Sequence, residues 1–342
     1  MKKLLFDDKT IFILAEIAQS YEGKKNVLSD IIEGLTIAKT NGIMFQVVYA
    51  DELAVPDYDY YDLFKSLEMS DKDWKDVIRM IHNNNIYAVA EIFGNKSFDL
   101  MIQYDIDAVK LHASDITNEP LLKYVGKHDI PILLAIGGAN RNEIKKAIAL
   151  LNNNKEIILM HGYQKGPTPI NDTHFNKISA LIDEYSLPVG YSDHIAGFEE
   201  NADYKTLNDL AYYFPFISVG SGVRLIEKHT ILNRDKQWED YESALTTKEF
   251  SVFVELIRKI ENSTGLKTLD CNETEKSYRR AIKSIVAKKD IKKGTVIKED
   301  LITFKRVNQK IKSIKNINDV IGFQTNKNII KNEAITLDSI KA

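Results

Sequence analysis

The sequence has 342 residues, of which 44% are hydrophobic, and a formal net charge of -3 at pH 7. This length predicts one large domain accompanied by a smaller one. The mixed charges give no electrostatic reason to expect nucleic acid or an anionic membrane as a partner. A single cysteine, Cys271, excludes an internal disulfide framework and favours a reducing cytoplasm.

The first residues are basic and then apolar, but Asp7 interrupts them too early for a secretory signal, and no membrane-spanning apolar run follows. After them, short β-branched runs alternate with amphipathic segments at a spacing of roughly 25 to 35 residues, which is typical of βα units. The predicted strands are residues 11–18, 43–49, 86–93, 108–113, 131–137, 156–162, 188–194 and 223–230. The predicted helices include residues 27–39, 71–83, 141–151, 172–185 and 247–261, from their apolar spacing.

Eight such units favour a (β/α)8 TIM barrel. A doubly wound open sheet remains possible, but no Gly-x-Gly-x-x-Gly motif follows the first strand and eight repeats suit closure better. We expect the barrel at residues 1–265, a polar linker at 266–279 and a small β-rich domain at 280–342. In that last domain, residues 287–297 and 326–335 form a weak duplication of strand, basic turn and strand.

Polar residues gather at the carboxyl ends of the predicted strands, which is the functional edge of a parallel barrel. Each would cost about 1 to 3 kcal/mol if it were buried without a partner, so this number of them indicates a site that binds something polar. These strand-end residues are Glu16, Gln46, Glu91, Lys110, His112, Gly137, Gly138, His161, Gln164, Asp193, His194, Glu227 and His229.

Two histidines at the ends of neighbouring strands, His194 and His229, each have a carboxylate within two residues. A lone histidine on an apolar strand is more often a core residue, but this pairing favours a metal site. Two protein nitrogens leave several coordination positions open. This suits a catalytic Mn²⁺ or Mg²⁺ that meets substrate oxygens better than a closed structural zinc site.

Lys110 lies on a strand that we expect to be buried, and its chemistry depends on its protonation. A charged Lys110 would hold a phosphate or carboxylate, whereas a neutral one could form a Schiff base. Glu16 and Asp115 are candidate acid/base groups, although capping a helix or pairing with a lysine would explain them equally well.

Several motifs extend along almost the whole chain. They are Phe-Gln at 45–46, Thr-Asn-Glu-Pro at 117–120, Pro-Thr-Pro at 167–169, Tyr-Ser-Asp-His at 191–194, Ile-Glu-Lys-His at 226–229, Tyr-Arg-Arg at 278–280 and Lys-Lys-Asp-Ile-Lys-Lys-Gly at 288–294. With them, the chain resembles the sialic acid synthase family. These are the phosphoenolpyruvate-dependent synthases of N-acetylneuraminate, legionaminate and pseudaminate, in which a barrel precedes an antifreeze-like (SAF) domain.

The resemblance implies that His194 and His229 ligate a divalent metal, Mn²⁺ or Mg²⁺, while Glu227 and Asp240 hold metal-bound water. It places Lys110 on the phosphate or carboxylate of phosphoenolpyruvate, Glu16 near the aldose and Asp115 at the acid/base position. Glu16, Asp115, Lys110 and Asp240 are therefore the expected catalytic residues. The expected substrate-binding residues are Gln46, His112, Gln164, Ser192, Asp193 and Arg306.

The same resemblance implies a cytoplasmic, domain-swapped homodimer in which Arg306 of one subunit's SAF domain enters the active site of the other. The implied reaction is attack by C3 of phosphoenolpyruvate on an aldehyde that the metal polarises. Water then adds at C2, and phosphate leaves by C–O cleavage.

Departures from the family pattern concentrate around the substrates. Met44 stands where the family has a lysine, and Glu91 replaces a phosphate-side hydroxyl residue. Other differences, at Ala113, Gln164 and Gly166, predict an altered acceptor pocket, in which Lys165 or a lysine of the C-terminal domain could replace the missing charge. Two alternatives stay open: a metal-dependent pyruvate aldolase or lyase acting on a related sugar acid, and a non-catalytic sugar-binding paralogue.

Overall fold

A computed structural model describes residues 10–151, 156–162, 167–196, 204–236, 241–308 and 310–341. Gln164, Lys165 and Asp240 lie outside these ranges. The chain divides into two compact units, the first ending at Gly265 and the second beginning at Leu266. No helix within the described ranges is long and apolar enough to span a membrane.

The first unit is a closed barrel of eight parallel strands, each hydrogen-bonded to the next, with the eighth pairing back to the first. The (β/α)8 prediction is therefore confirmed, and the open-sheet alternative is wrong. A two-residue strand, β9 (Leu245–Thr246), pairs in parallel with the eighth barrel strand. The barrel strands are β1 (Phe12–Glu16), β2 (Gly42–Val47), β3 (Tyr87–Ile92), β4 (Ala108–Leu111), β5 (Ile132–Ala135), β6 (Ile157–His161), β7 (Val189–Asp193) and β8 (Leu225–Ile231).

Helices lie between the strands, and local sequence signals fix several of their starts. Ser70 accepts a hydrogen bond from the Asp73 amide at the start of the helix Asp71–Asn83, and Thr246 forms a capping box with Glu249 at the start of the helix Thr247–Ile260. The helices are α1 (Lys25–Ala38), α2 (Ala50–Leu53), α3 (Tyr61–Leu67), α4 (Asp71–Asn83), α5 (Asn95–Gln103), α6 (Glu119–Val125), α7 (Arg141–Leu150), α8 (Asn176–Tyr185), α9 (Tyr204–Gly220) and α10 (Thr247–Ile260).

Strand alternation divides the barrel core into an inner and an outer layer. Phe12, Leu14 and Met44 belong to a buried cluster that fills the barrel interior, whereas Ile13 and Phe45 belong to the larger cluster between strands and helices. Because successive residues point to opposite faces, Glu16 continues the inward series of Phe12 and Leu14. On the other strands the same alternation points the polar residues at the carboxyl ends into the barrel mouth.

The second unit contains helix α11 (Glu273–Tyr278) and a small β-rich core. Strands β10 (Ser284–Ala287) and β11 (Ile302–Lys305) form one antiparallel pair, and β12 (Gln324–Thr325) and β13 (Ile340–Lys341) form another. The two segments that resemble each other in sequence, residues 287–297 and 326–335, lie side by side and are joined by an antiparallel β-bridge between Ile291 and Ile329. Buried isoleucines, among them Ile285, Ile297 and Ile335, fill the space between them.

Candidate active site

Polar side chains from five strands meet at the carboxyl end of the barrel. Each occupies an inward position in the strand alternation, and strand register aligns neighbours: Glu91 lies opposite Lys110, and Ser192 lies opposite Glu227. The residues that line the barrel mouth are all buried: Glu16, Glu91, Lys110, Ser192, His194, Glu227 and His229.

Lys110 lies at the centre of this group. Its ammonium Nζ is 2.8 Å from Glu227 Oε1 and 3.3 Å from Glu91 Oε1. Gln46 Nε2 donates a hydrogen bond of 2.9 Å to the other oxygen of Glu91. The network therefore joins β2, β3, β4 and β8 across the mouth.

The carboxylates keep Lys110 charged. Burial alone would lower the pKa of Lys110, but Glu227, Glu91 and Glu16 outweigh it and raise that pKa. Burial would likewise raise the pKa of Glu91, yet Lys110 and, to a smaller extent, His112 hold it below its ordinary value. A lysine that is stabilised as an ammonium ion is a poor nucleophile, so the geometry favours the charged form of Lys110 over a Schiff-base role.

Glu16 ends β1 opposite His229 on β8. Its Oε1 accepts a hydrogen bond of 2.7 Å from the Ala18 amide, whereas its buried Oε2 has no hydrogen-bond partner within the described ranges. Burial raises the pKa of Glu16 well above its ordinary value, because Lys110 only partly offsets the burial and the charges of Glu91 and Glu227. One carboxylate oxygen is therefore left for a substrate group.

His194, Glu227 and His229 form a possible metal site: one ligand atom from each lies within 4.8 Å of the others, and all three residues are buried. The Nε2 atoms of His194 and His229 are 3.0 Å apart. Two nitrogens bound at roughly 2.1 Å to one ion, at a right angle, would have this separation. Burial, reinforced by Lys110 and Lys228, lowers the pKa of His229 to about 3, which keeps its imidazole neutral. Glu227 Oε2 adds a buried oxygen that makes no hydrogen bond of good geometry within the described ranges, so the donor set fits a divalent cation.

Asp193 and Lys228 are the sequence neighbours of the metal-site residues, so strand alternation points their side chains the opposite way. Their side chains point to the outer face of the barrel, where Asp193 Oδ2 is 2.7 Å from Lys228 Nζ and both side chains are 0% exposed. The Tyr191 hydroxyl and the Ile195 amide also donate to Asp193, at 3.0 and 3.2 Å. Asp193, expected among the substrate-binding residues, thus has its carboxylate occupied away from the mouth.

His112 and Asp115 lie at the rim, just after β4. His112 Nδ1 is 2.8 Å from Ser114 Oγ, and Asn118 donates a hydrogen bond of 2.8 Å to Asp115. Burial raises the pKa of Asp115, and the Asn118 hydrogen bond offsets only part of that effect. Arg306 belongs to the second unit, where it is exposed directly after β11.

A cavity of about 330 Å³ opens at the ends of β5, β6 and β7. Ser192 lines it, so the cavity meets the group of polar residues at the mouth. Lys177, from the first turn of α8, also lines it. Sequence reasoning missed Lys177, because a lysine on an amphipathic helix carries no signal that separates it from a solvated one.

The NeuB family model matches residues 37–268, and the SAF domain model matches residues 282–341. The N,N'-diacetyllegionaminic acid synthase of Campylobacter jejuni is 27% identical over 96% of this chain and 99% of that protein. A pseudaminic acid synthase from the same species is 25% identical over 86% of each. A crystal structure of N-acetylneuraminic acid synthetase from Leptospira borgpetersenii, in complex with citrate, has a TM-score of 0.72 and 26% identity. It covers 80% of this chain and 92% of its own.

Proposed function

Because the chain belongs to the NeuB family, we propose that it is a synthase that condenses phosphoenolpyruvate with an N-acyl hexosamine-type aldose. The product is a nonulosonic acid, a 2-keto-3-deoxy sugar acid, and the coproduct is inorganic phosphate. The observation that carries this proposal is the convergence of His194, Glu227 and His229 beside a charged Lys110 at the barrel mouth.

The reaction balances with one water. The C3 carbon of phosphoenolpyruvate forms a bond to the aldehyde carbon of the aldose, and the former aldehyde oxygen takes up a proton. Water adds to C2, the bond between C2 and the bridging oxygen breaks, and phosphate leaves with that oxygen. The residues must therefore supply a proton near the aldehyde and accept one from water.

His194 and His229 would hold Mn²⁺ or Mg²⁺ directly, with Glu227 and Asp240 contributing through water. The bound cation would polarise the aldehyde oxygen of the acceptor. Glu16 presents its free Oε2 to a hydroxyl of the aldose. Asp115, whose pKa is raised, is suited to transferring a proton at the rim. Lys110 holds Glu91 and Glu227 in place across the mouth.

A second candidate is a pyruvate-dependent aldolase or lyase with the same metal. Met44 is apolar and fully buried, and Glu91 lies 3.3 Å from Lys110, so this side of the mouth offers a phosphate little net positive charge. Pyruvate carries no phosphate and would not need that charge. The two candidates differ in whether phosphate appears.

We also propose a cytoplasmic, domain-swapped homodimer in which Arg306 completes the active site of the second subunit. The family resemblance and the single cysteine support this assignment. Mixing subunits tests it, because a heterodimer of Arg306→Ala and His229→Gln subunits would have one intact site of two. The two proteins, each inactive alone, should as a 1:1 mixture in which about half the dimers are heterodimers regain up to about a quarter of wild-type activity. Full activity of Arg306→Ala alone would refute the shared site.

The decisive experiment measures phosphate release by Mn²⁺-loaded protein with phosphoenolpyruvate and a panel of N-acyl hexosamines and related aldoses. We expect phosphate only when both substrates are present, and none from His194→Gln. An exposed-lysine variant, Lys259→Met, serves as the control. Turnover of pyruvate without phosphate release would establish the aldolase instead, and metal binding without any turnover would indicate a sugar-binding paralogue.

A further inference from the structure

The ammonium of Lys110 lies between a carboxylate of the metal site and a carboxylate outside it. Its Nζ is 2.8 Å from Glu227 Oε1 and 3.3 Å from Glu91 Oε1. Glu227 belongs to the possible metal site with His194 and His229, whereas Glu91 lies outside that group of three within the described ranges. Glu91 therefore acts on the metal site through Lys110 rather than as a ligand.

Strand alternation and register fix Glu91 in this position. Val89 belongs to the apolar cluster inside the barrel, so alternation along β3 points Glu91 inward as well. Glu91 lies opposite Gln46 on β2 and opposite Lys110 on β4. Gln46 Nε2 donates a hydrogen bond of 2.9 Å to Glu91 Oε2, which leaves Oε1 for Lys110. The carboxylate is thus held by both neighbouring strands.

Glu227 alone cannot compensate both a divalent cation and Lys110. The cation and the ammonium carry three positive charges between them, and Glu227 supplies one negative charge. Uncompensated charge is costly in a buried site, because the local dielectric constant is low. Glu91, which is 1% exposed, supplies a second negative charge in contact with Lys110.

Glu91 is also suited to carry a permanent negative charge. Burial opposes its ionisation, but Lys110 outweighs the burial and holds the pKa of Glu91 below its ordinary value. Burial raises the pKa of Glu16 well above its ordinary value, so that carboxylate is less suited to this role. The pKa of His229 is low mainly because of burial; Lys110 lowers it further, and Glu91 acts in the opposite direction. The charge of Glu91 therefore reaches a metal ligand.

Glu91 is one of the positions at which this chain departs from the family pattern. A hydroxyl residue, which the family has there, cannot neutralise Lys110. The family resemblance gives Lys110 an anionic group of the donor substrate as its partner. In this chain Glu91 already makes that contact, so a substrate carboxylate or phosphate has to compete with it.

We propose that Glu91 is a built-in counterion of Lys110, a positioning residue through which the site binds its divalent metal before any anionic substrate is present. It stands in for the anionic group of the substrate and leaves Glu227 available to the cation. The inference rests on the metal site of the proposed function, but not on phosphoenolpyruvate as the donor.

The test measures Mn²⁺ affinity without substrate, from the electron paramagnetic resonance signal of the unbound ion. One elementary charge within roughly 10 Å of a divalent ion, at an effective dielectric constant of about 20, changes affinity roughly 10- to 100-fold. We expect Glu91→Gln, which keeps the side-chain volume, to weaken Mn²⁺ binding by this factor. Glu91→Gln/Lys110→Met has the net charge of wild type and should stay within about three-fold of it. The control is Glu255→Gln, which removes a carboxylate from an exposed pair with Lys259 and should also stay within about three-fold.

Two results would overturn the counterion. One is a Mn²⁺ affinity of Glu91→Gln within about three-fold of wild type. The other is a double variant that binds Mn²⁺ as weakly as Glu91→Gln, because Glu91 would then act without Lys110.

Chemical rescue separates lost charge from lost packing. Glu91→Ala opens space for a small anion, so formate should restore its Mn²⁺ affinity several-fold, whereas formamide, a neutral molecule of similar shape, should not. Equal effects of the two, or no effect of formate, would contradict a counterion.

Phosphate release by the wild type separates this inference from the proposed function. Phosphate release together with unchanged Mn²⁺ affinity in Glu91→Gln would keep the synthase and remove the counterion. Weakened Mn²⁺ binding in Glu91→Gln, without phosphate release by the wild type, would keep the counterion and overturn the synthase.

Discussion

Replacing Lys228 by methionine removes the ammonium of the buried Asp193–Lys228 pair and nearly preserves its volume. Asp193 then remains 0% exposed, with two hydrogen bonds, from the Tyr191 hydroxyl and the Ile195 amide. Breaking a buried ion pair in this way costs about 3 to 5 kcal/mol. Because two neutral donors still support the carboxylate, we expect the lower end, about 3 kcal/mol.

Neutralising both charges should cost much less. In Asp193→Asn/Lys228→Met no buried charge is left uncompensated, so we expect a loss of about 1 kcal/mol and a coupling energy of about 2 kcal/mol or more between the sites. The matched control is Lys259→Met, which removes an ammonium from an exposed pair with Glu255. That change should cost under about 0.5 kcal/mol.

Urea unfolding followed by tryptophan fluorescence reports on the barrel, because both tryptophans, Trp74 and Trp238, precede Gly265. Metal affinity is a second readout, since Asp193 adjoins His194 and Lys228 lies between Glu227 and His229. We expect a roughly 10- to 100-fold weaker metal affinity for Lys228→Met. A loss below 1 kcal/mol for this variant, or a double variant as unstable as the sum of the single ones, would refute the reasoning.

Three further predictions follow from the site. Glu91→Gln removes a carboxylate 3.3 Å from Lys110 and keeps the side-chain volume, so phosphoenolpyruvate should bind several-fold more tightly by calorimetry; weaker binding would contradict our view of Glu91 as a repulsive group. Mn²⁺ at about 100 times its dissociation constant should stabilise wild type by about 2.7 kcal/mol, measured as a rise in the unfolding midpoint. EDTA should reverse that rise, and His194→Gln should show none. Burial lowers the pKa of His161, so the unfolded state binds a proton at this histidine more readily than the folded state does. The stability that the neutral imidazole contributes is therefore fully present above pH 6.5 and is lost as the pH falls below it. At pH 5.5 that loss is at most about 1.4 kcal/mol, and a His161→Gln variant with the same pH dependence as wild type would refute the assignment.

The barrel was predictable because its strands are short β-branched runs at regular spacing, and their ends fell within a few residues of those observed. Helix α9 was missed, since Pro215 within Tyr204–Gly220 favours a helix end over a continuous helix. Helices α5 and α6 are too short for apolar periodicity to accumulate.

The candidate site was predictable at the level of the strand but not of the face. His194 and Asp193 are neighbours in sequence, yet strand alternation turns one into the mouth and the other towards the outer layer. The period-two pattern shows that the two residues face opposite ways, but the closed barrel shows which of them faces the interior. The pairing of Asp193 with Lys228 required the register between β7 and β8. The contact of Lys110 with Glu227 spans 117 residues of sequence, so only the closed barrel shows it.

The mouth is assembled at the seam where the first and last strands of the barrel meet, because Glu16 on β1 lies opposite His229 on β8. A growing chain that ends before β8 has made Glu16, Lys110 and His194 but neither Glu227 nor His229. Tight metal binding can therefore arise only after β1 has paired with β8. During refolding, metal uptake should therefore follow the pairing of β1 with β8, so the bound cation reports closure of the barrel.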